Sequence, residues 1–538
     1  MNAVLIALLL LLPLLGAAAT LVPRAFGADP AVRGRRALRF ATAVTGLVLL
    51  LAVALAAGFD HGNPGRMQAV TDVRWIPALD VRLHLGVDGI SLPLLVLTAL
   101  LTFLCALYST RRLPDGPGTP SPLAFTGLLL LLEVGMLGTF AVLDLLLFFL
   151  AFEVVLIPMY FLIARWGGEG RGPAANRFIL YTLLGSAVML LGLLLLGSKA
   201  GTFDMTALAA RHGAGLSHTT QVIAVLAIGL GLAVKAPMWP LHSWLPDAHT
   251  AAPTVGSVLL AGVLLKMGTY GFVRVVLPAT PDGAATLAPY LGALAAVGIV
   301  YGSLACLALA RPGAKGDLKR LIAYSSVGHM GFVLLGIATL TPTGINGALF
   351  ANIGHGLITG LLFFLVGAIK DRYGTADLDH LAGATTATGA ALYGRAPRLG
   401  GLLAFAAVAS LGLPGLAGFW GELLAMFGSF HPAAGLSRPA YLVFMALAGL
   451  GTLLTAGYLL TVVRRVCMGD PADAPRLAAQ PSGTAPSAST TQPAIADIKP
   501  YEAAAWTPLA ALTVLAGLWP AVLLGLSDPA VKSLLGGG

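Results

Sequence analysis

Apolar runs of about 20 residues recur along nearly the whole chain. Such a run is long enough to cross the ~30 Å hydrocarbon core of a bilayer as an α-helix. A helix satisfies its own backbone hydrogen bonds in lipid, whereas an exposed irregular segment does not. Only 10% of the 538 residues are charged, against roughly a quarter in a soluble domain. The sequence therefore predicts an all-α polytopic membrane protein and excludes a soluble globule.

About fourteen transmembrane helices are predicted from these runs. The first run ends in small residues like a signal peptide, but no basic residue precedes it, so it is interpreted as a retained span. The predicted spans cover residues 2–22, 38–59, 91–108, 123–143, 145–163, 178–197, 221–246, 255–276, 287–309, 321–340, 344–369, 401–430, 440–463 and 508–526.

The distribution of basic residues predicts the orientation of the chain. Most Lys and Arg residues fall in odd-numbered loops, for example Arg33, Lys319 and Arg398. By the positive-inside rule these loops are cytoplasmic, and both termini then lie on the opposite, outer side of the membrane. The net charge of +9 is explained by these loops, so no nucleic-acid partner is expected.

Cysteine and glycine patterns predict no cofactor or metal site in this chain. Cys105, Cys306 and Cys467 are isolated in or beside apolar runs, without a CxxC pair or a His cluster. No Gly-rich dinucleotide turn and no phosphate loop follows a strand pattern. The abundant glycines are instead expected to let helices approach closely in lipid.

Two predicted spans are interrupted in their middles. In span seven, Pro237 and Pro240 follow Lys235, and in span twelve, Pro414 and a run of glycines precede Glu422. Proline removes a backbone donor and opens a helix. Paired broken helices are typical of transporters built from inverted repeats, with functional groups near the midplane.

The chain is divided on this basis into N-terminal helices 1–3 (1–122), a first repeat (123–276), a second repeat (287–463), a linker (469–505) and a C-terminal transmembrane helix (506–538). The linker is rich in Pro, Ala, Ser and Thr. Such a composition does not bury a core, so a flexible polar segment is predicted there.

Ionisable residues inside apolar runs are the candidate functional groups. Lys266 lies about twelve residues into its span, roughly 18 Å of rise and too deep for easy snorkelling. A charge at that depth costs at least ~2.5 kcal/mol on insertion scales, which favours a functional or paired group. Glu153 is also near a midplane, and Lys235 is its expected partner, because each would favour the charged form of the other.

Further candidates extend this line into the second half. Glu422, His329 and His355 fall in apolar spans, and imidazole gains and loses protons readily near neutral pH. Purely structural roles, such as an ion pair or a hydrogen bond to a neighbouring carbonyl, remain open for all of these residues. Secondary candidates, some of them near membrane edges where capping is an equally good explanation, are Glu133, Asp144, His242, Asp247 and His249.

Several segments resemble the proton-antiporter family. They are residues 235–249 (KAPMWPLHSWLPDAH), 252–257 (APTVGS) and 264–271 (LLKMGTYG). Residues 86–91 (GVDGIS), 143–163 (LDLLLFFLAFEVVLIPMYFLI) and 319–331 (KRLIAYSSVGHMG) resemble, within that family, the M-type (chain 4) membrane subunits of bacterial NADH:quinone oxidoreductase, complex I. Together the resemblance covers residues 80 to 465.

The resemblance implies two inverted five-helix repeats in a subunit that pumps protons beside other complex I membrane subunits and lipids. It makes Glu153 and Lys235 a functional pair and Lys266 the central lysine. His329 and His355 then lie on the connecting path, and Glu422 is the terminal carboxylate. FMN, iron–sulfur clusters and quinone are expected in partner subunits, with the peripheral redox arm contacted only indirectly.

Two other interpretations stay open from sequence. One is a subunit of a multisubunit Na+/H+ antiporter or a membrane-bound hydrogenase, which shares the segments around Lys235 and Lys266; the Glu153 region and Glu422 favour complex I. The other is a structural scaffold subunit with vestigial buried charges, which the cost of burying those charges disfavours.

Overall fold

The computed structural model describes residues 2–77, 81–113, 121–383, 390–468 and 496–536, and 78% of these residues are helical. Within these ranges eleven helices are long and apolar enough to cross a membrane, or twelve if one bent pair counts as a span. The predicted all-α membrane fold is confirmed, but the count of fourteen is not. The difference lies in the first run, which forms a short helix, and in the twelfth and last, which are each broken.

The N-terminal part contains three helices and a small sheet. These are α1 (Asn2–Ala19), α2 (Pro30–Ala57), β1 (Gln68–Ile76), β2 (Val81–Val87) and α3 (Ser91–Arg112). The two antiparallel strands were not predicted from the sequence. β2 buries Leu85 and Val87 beneath the membrane helices, while β1 is largely exposed. The strands were not predicted because an outward-facing strand such as β1 lacks the long apolar run that identified the helices.

The first helical segment contains α4 (Pro122–Ala141), α5 (Leu145–Trp166), α6 (Arg171–Ala200), α7 (Met205–Arg211), α8 (His218–Lys235), α9 (Trp244–Ala251) and α10 (Thr254–Ala279). The second contains α11 (Pro281–Ala310), α12 (Leu318–Ala338), α13 (Pro342–Tyr373), α14 (Leu378–Leu381), α15 (Leu392–Arg395), α16 (Pro397–Ser410), α17 (Ala417–Phe430) and α18 (Arg438–Met468).

Matching features recur at equal separations in the two segments. A bridge pairs Asp144 with Asp204 in the first, and the same kind of bridge pairs Asp317 with Asp377 in the second. All four aspartates cap the helix that follows through their side chains. The number of residues from Asp144 to Asp204 equals that from Asp317 to Asp377. The division into repeats at 123–276 and 287–463, and their inversion in the membrane, stay predictions.

Both predicted helix breaks are present. The seventh span stops at Lys235 and resumes at Trp244, and the twelfth stops at Ser410 and resumes at Ala417. The interruptions follow from the prolines and glycines between these points, including Pro237 and Pro414, because proline cannot donate to the helical ladder. The breaks thereby place helix ends inside the bundle.

The C-terminal span is bent rather than straight. It consists of α19 (Pro500–Leu518) and α20 (Ala521–Leu534), which meet at 66°. The predicted linker, 469–505, is therefore too long at its C-terminal end. Arg372 donates to the carbonyl of Asp497 at 3.0 Å and binds the carboxylate of Glu502 at 2.6 Å, so this part of the chain is docked on α13. Residues 469–495 lie outside the described ranges.

The centre of the bundle is formed by α10 and α13. The apolar windows of both helices are completely buried by neighbouring elements. α10 also contains two π-helical turns, Leu260–Leu264 and Phe272–Val276. Such turns are rare and occur often at functional sites. Lys266 lies between them.

Candidate functional site

Lys266 and His355 meet at the centre of the molecule. Lys266, on α10, is completely buried, and its Nζ lies 2.6 Å from Nδ1 of His355 on α13. Nζ also donates to the carbonyl of Ala261, in the first π-helical turn. Thr269 bonds Asn352 at 3.0 Å and joins the same two helices one turn away. A lysine and an imidazole at this distance share a hydrogen bond along which a proton can pass.

Further contacts extend from His355 to the broken twelfth span. The rings of His355 and His329 have centroids 5.8 Å apart. His329 Nδ1 lies 3.0 Å from Oε1 of Glu422, and its Nε2 lies 3.0 Å from the hydroxyl of Ser410. Ser410 ends α16 and Glu422 lies in α17, so the helix break brings both to one imidazole.

A small cavity lies at the one gap in this line. It has a volume of about 20 Å³ and is lined by His329, His355, Ser410, Glu422 and Thr359, among others. About 10–15 Å³ is needed for one water molecule. Nε2 of His355 is buried and has no hydrogen-bond partner among the described residues. The space therefore suits a single water between the two imidazoles.

Glu153 and Lys235 lie near one another but do not form the expected contact pair. Lys235 Nζ and Glu153 Oε1 are both buried and without a hydrogen-bond partner in the described part of the chain. The lysine lies over the ring of Phe152, 4.7 Å from its centroid, and its charge interacts with Glu153 through space. Sequence identified both residues as ionisable groups within membrane-spanning helices, but it could not specify how their side chains are oriented.

Two secondary candidates are deeply buried with unused polar atoms. Glu133, on α4, is inaccessible to solvent, and neither of its carboxylate oxygens finds a partner within the described ranges. His249, on α9, stacks on Phe363 with centroids 4.5 Å apart, and neither ring nitrogen is bonded to any described residue. Buried polar groups without partners are costly and need a water, an ion or a functional explanation.

The remaining secondary candidates have structural contacts. Asp144 caps α5, since its carboxylate accepts from the amides of Leu146 and Leu147. Asp247 forms ion pairs with Arg177 and Arg320. His242 lies in the break of the seventh span, with its ring 5.0 Å from that of Tyr301. None of these three contacts the line formed by Lys266, His355, His329 and Glu422.

Sequence reasoning missed several buried charges, among them Arg274. Its guanidinium lies 2.5 Å from Oδ1 of Asp88, and both side chains are buried. Nε of Arg274 donates to the hydroxyl of Tyr270, one turn after Lys266. The sequence does contain a signal for Arg274, because this arginine lies inside the same apolar run as Lys266.

The sequence profile described as NADH:quinone oxidoreductase/Mrp antiporter, transmembrane, matches residues 142–455. NADH-quinone oxidoreductase subunit M of Rhodobacter capsulatus is 39% identical, over 99% of this chain and 96% of its own length. NAD(P)H-quinone oxidoreductase chain 4-1 of Synechocystis is 38% identical, over 81% and 79% respectively.

Solved structures of related chains agree with these sequence comparisons. A chain of respiratory complex I from Thermus thermophilus superposes with a TM-score of 0.80 at 30% identity, covering 99% of this chain and all of that one. A chain of the Mrp complex from Dietzia has the same TM-score at 24% identity, covering 99% and 97%, which shows the fold alone. By sequence and by fold, the chain belongs to the NADH:quinone oxidoreductase/Mrp antiporter transmembrane family.

Proposed function

We propose that this chain is the M-type proton-translocating subunit of a bacterial NADH:quinone oxidoreductase. The observation that carries the proposal is the buried line Lys266–His355–His329–Glu422, with direct contacts of 2.6 and 3.0 Å at its two ends. A structural scaffold would not need four neighbouring ionisable groups at the centre of a membrane bundle, because neutral residues would cost less there.

Proton transfer along this line uses each group in turn. The ammonium of Lys266 gives a proton to Nδ1 of His355. The imidazole then releases a proton from Nε2 to a water in the 20 Å³ cavity, and that water passes one to His329. Glu422 accepts from Nδ1 of His329. No metal or bound cofactor takes part in these steps.

The Glu153–Lys235 pair is proposed to control the line rather than to extend it. The two charges interact without a direct hydrogen bond, so a change in their separation alters the proton affinity of Lys235. Coupled movement of one side chain toward the other is the proposed switch. It transmits a signal from neighbouring membrane subunits into the first repeat.

The same proposal indicates which proteins are the partners of this chain. The relatives named subunit M and chain 4 support other complex I membrane subunits as neighbours, in a bacterial plasma membrane. FMN, iron–sulfur clusters and quinone are assigned to those partner subunits. Periplasmic termini remain a prediction from the Lys and Arg distribution.

A Na+/H+ antiporter subunit is the second candidate function. The family profile includes Mrp antiporters, and an Mrp chain shares the fold. The higher identity to subunits named M and chain 4 favours complex I. Co-purification distinguishes the two, because flavin and iron–sulfur subunits accompany this chain only in the first case.

Replacement of Glu153 tests the proton-transfer role. Glu153→Gln retains the shape and removes the charge, whereas Glu153→Asp retains the charge on a shorter side chain. In membrane vesicles, we expect Gln to abolish proton uptake and NADH:quinone activity and Asp to retain part of both. NADH oxidation with an artificial acceptor should persist, because electrons leave before they reach quinone.

The control is the amount of assembled complex on native gels, which should be unchanged in both variants. Full pumping by an assembled Glu153→Gln complex would refute the proposed role. Loss of assembly in both variants would instead indicate a structural ion pair.

A further inference from the structure

A cavity of about 220 Å³ lies on the face of the protein that the Lys and Arg distribution predicts to be cytoplasmic. It is formed where the end of α3, the end of α5 and the junction of α9 with α10 meet α13. At about 10–15 Å³ per water molecule it is large enough for a hydrated polyatomic ion. Its polar or charged lining residues include Tyr108, Arg112, Trp166, Lys319, Lys370 and Asp371.

Three hydrogen-bond donors on the cavity wall are unused. The hydroxyl of Tyr108, Nε of Arg112 and Nε1 of Trp166 are buried, and none has a partner among the described residues. Tyr108 is only 2% exposed. Buried Tyr and Trp polar atoms usually find a partner. Three such groups on one cavity indicate a ligand that accepts hydrogen bonds.

The charges on the wall indicate that this ligand is an anion. The wall contains three basic side chains, Arg112, Lys319 and Lys370, but only one carboxylate among its described lining residues, Asp371. Lys319 donates to the carbonyl of Ala252 at 2.9 Å, which uses one of its three protons and none of its charge. The positive charge of the wall is therefore only partly balanced.

The carboxylates near Arg112 do not neutralise it closely. Its contacts with Asp371 and Glu502 are both 3.4 Å long. Glu502 is held more tightly by Arg372, at 2.6 Å. Nε of Arg112 is consequently available for a shorter, charge-assisted bond to another oxyanion.

We propose that this cavity binds a phosphate-type oxyanion, either inorganic phosphate or the phosphate of a lipid headgroup. A tetrahedral oxyanion presents several acceptor oxygens to the donors of Tyr108, Arg112 and Trp166, and its charge balances the lysines. Water alone would satisfy the donors but would leave the excess positive charge uncompensated. The site is separate from the Lys266–Glu422 line and needs no assumption about pumping.

Phosphate binding to the intact purified complex tests the proposal. After lipid is removed by detergent exchange, equilibrium dialysis with radiolabelled inorganic phosphate at low ionic strength should show saturable binding. Tyr108→Phe removes one donor and Lys370→Gln one charge. Each should weaken binding by roughly tenfold, because hydrogen bonds to charged groups are among the stronger ones.

Lys315→Gln is the matched control, because it removes an exposed positive charge from the same predicted face but not from the cavity. Phosphate binding by this variant should equal that of the unchanged protein. Displacement of phosphate by phosphatidylglycerol micelles, but not by glycerol 3-phosphate, would assign the site to a lipid headgroup. Displacement by glycerol 3-phosphate would assign it to a soluble ion. Absence of saturable binding, or equal binding by all variants, would overturn the proposal and leave a water-filled cavity.

Discussion

At the scale of single residues, the buried ion pair of Arg274 and Asp88 connects two distant parts of the chain. Oδ1 of Asp88 also accepts from the amides of Ile90 and Ser91 at the start of α3. The carboxylate thus caps one helix and neutralises a cation on another. Removing either partner of such a pair leaves the other charge buried and uncompensated.

Asp88→Asn retains a carbonyl oxygen for the cap but leaves Arg274 unpaired. We expect a loss of about 3–5 kcal/mol in the free energy of unfolding, as for other buried pairs broken on one side. The loss should appear as a lower denaturation temperature of the purified complex. The double replacement Asp88→Asn with Arg274→Met should recover most of it, and a single variant as stable as the unchanged protein would contradict this account.

At the scale of helices and strands, α19 rests directly on the break of the twelfth span. A Cβ at Gly517 would lie 2.3 Å from the carbonyl oxygen of Gly415 and equally close to backbone atoms of Leu416. Trp420 donates to the carbonyl of Gly517 at 2.8 Å. The C-terminal span therefore helps to hold the break that positions Glu422.

Gly517→Ala is expected to separate α19 from the break, because a backbone neighbour cannot move aside as a side chain can. The expected cost is about 1–3 kcal/mol, typical of overpacking. It should be visible as reduced thermal stability of the complex together with reduced proton pumping. Gly525→Ala, in α20 with open space among the described residues, should change neither, and an equal effect of both variants would rule out the contact.

The docking of the hairpin depends on a charge outside the membrane-spanning helices. His84 Nδ1, on β2, lies 2.8 Å from Oδ2 of Asp204. Burial alone would raise the pKa of Asp204, but hydrogen bonds from His84, Thr206 and the amide of Ala207 outweigh it and hold the pKa below its usual value. A carboxyl with a lowered pKa contributes stability that is complete above about pH 4 and is lost as the pH falls further.

Hydrogen-exchange protection of β2, corrected for intrinsic rates, should accordingly fall between pH 4 and pH 3. In Asp204→Asn the protection should be lower at neutral pH and this acid step should be smaller. A remaining step is expected from Asp72 on β1, because its hydrogen bond with Arg82 on β2 also lowers the pKa of that carboxyl. Asp29→Asn changes a helix cap elsewhere and should leave the pH dependence intact. An acid step of the same size in Asp204→Asn would show that another group controls the hairpin.

At the scale of the whole molecule, the orientation in the membrane rests on the basic loops. Reporter fusions after Arg112, Arg320 and Arg398 should report the cytoplasm, and a fusion in the 62–85 loop should report the periplasm. The structure places the hairpin in that loop, so the last fusion is best inserted before β1 begins at Gln68. The reverse pattern would overturn the orientation and the cytoplasmic assignment of the oxyanion cavity.

The membrane class, the long spans and the two breaks were all predicted from the amino-acid sequence. Lipid imposes a local requirement, because each run of apolar residues has to satisfy its own backbone hydrogen bonds. Prolines such as Pro237 and Pro414 therefore mark breaks wherever the rest of the chain lies. The depth of Lys266 in its span followed from the same one-dimensional argument.

Which side chains meet depends on how the helices pack against one another. Hydropathy along a chain specifies depth in the membrane but not the direction in which a helix face points. Sequence therefore could not predict three features: the contact of Lys266 with His355, the pairing of Arg274 with Asp88 and the separation of Glu153 from Lys235. The docked hairpin and the bent C-terminal span likewise depend on packing between segments that lie far apart in the sequence.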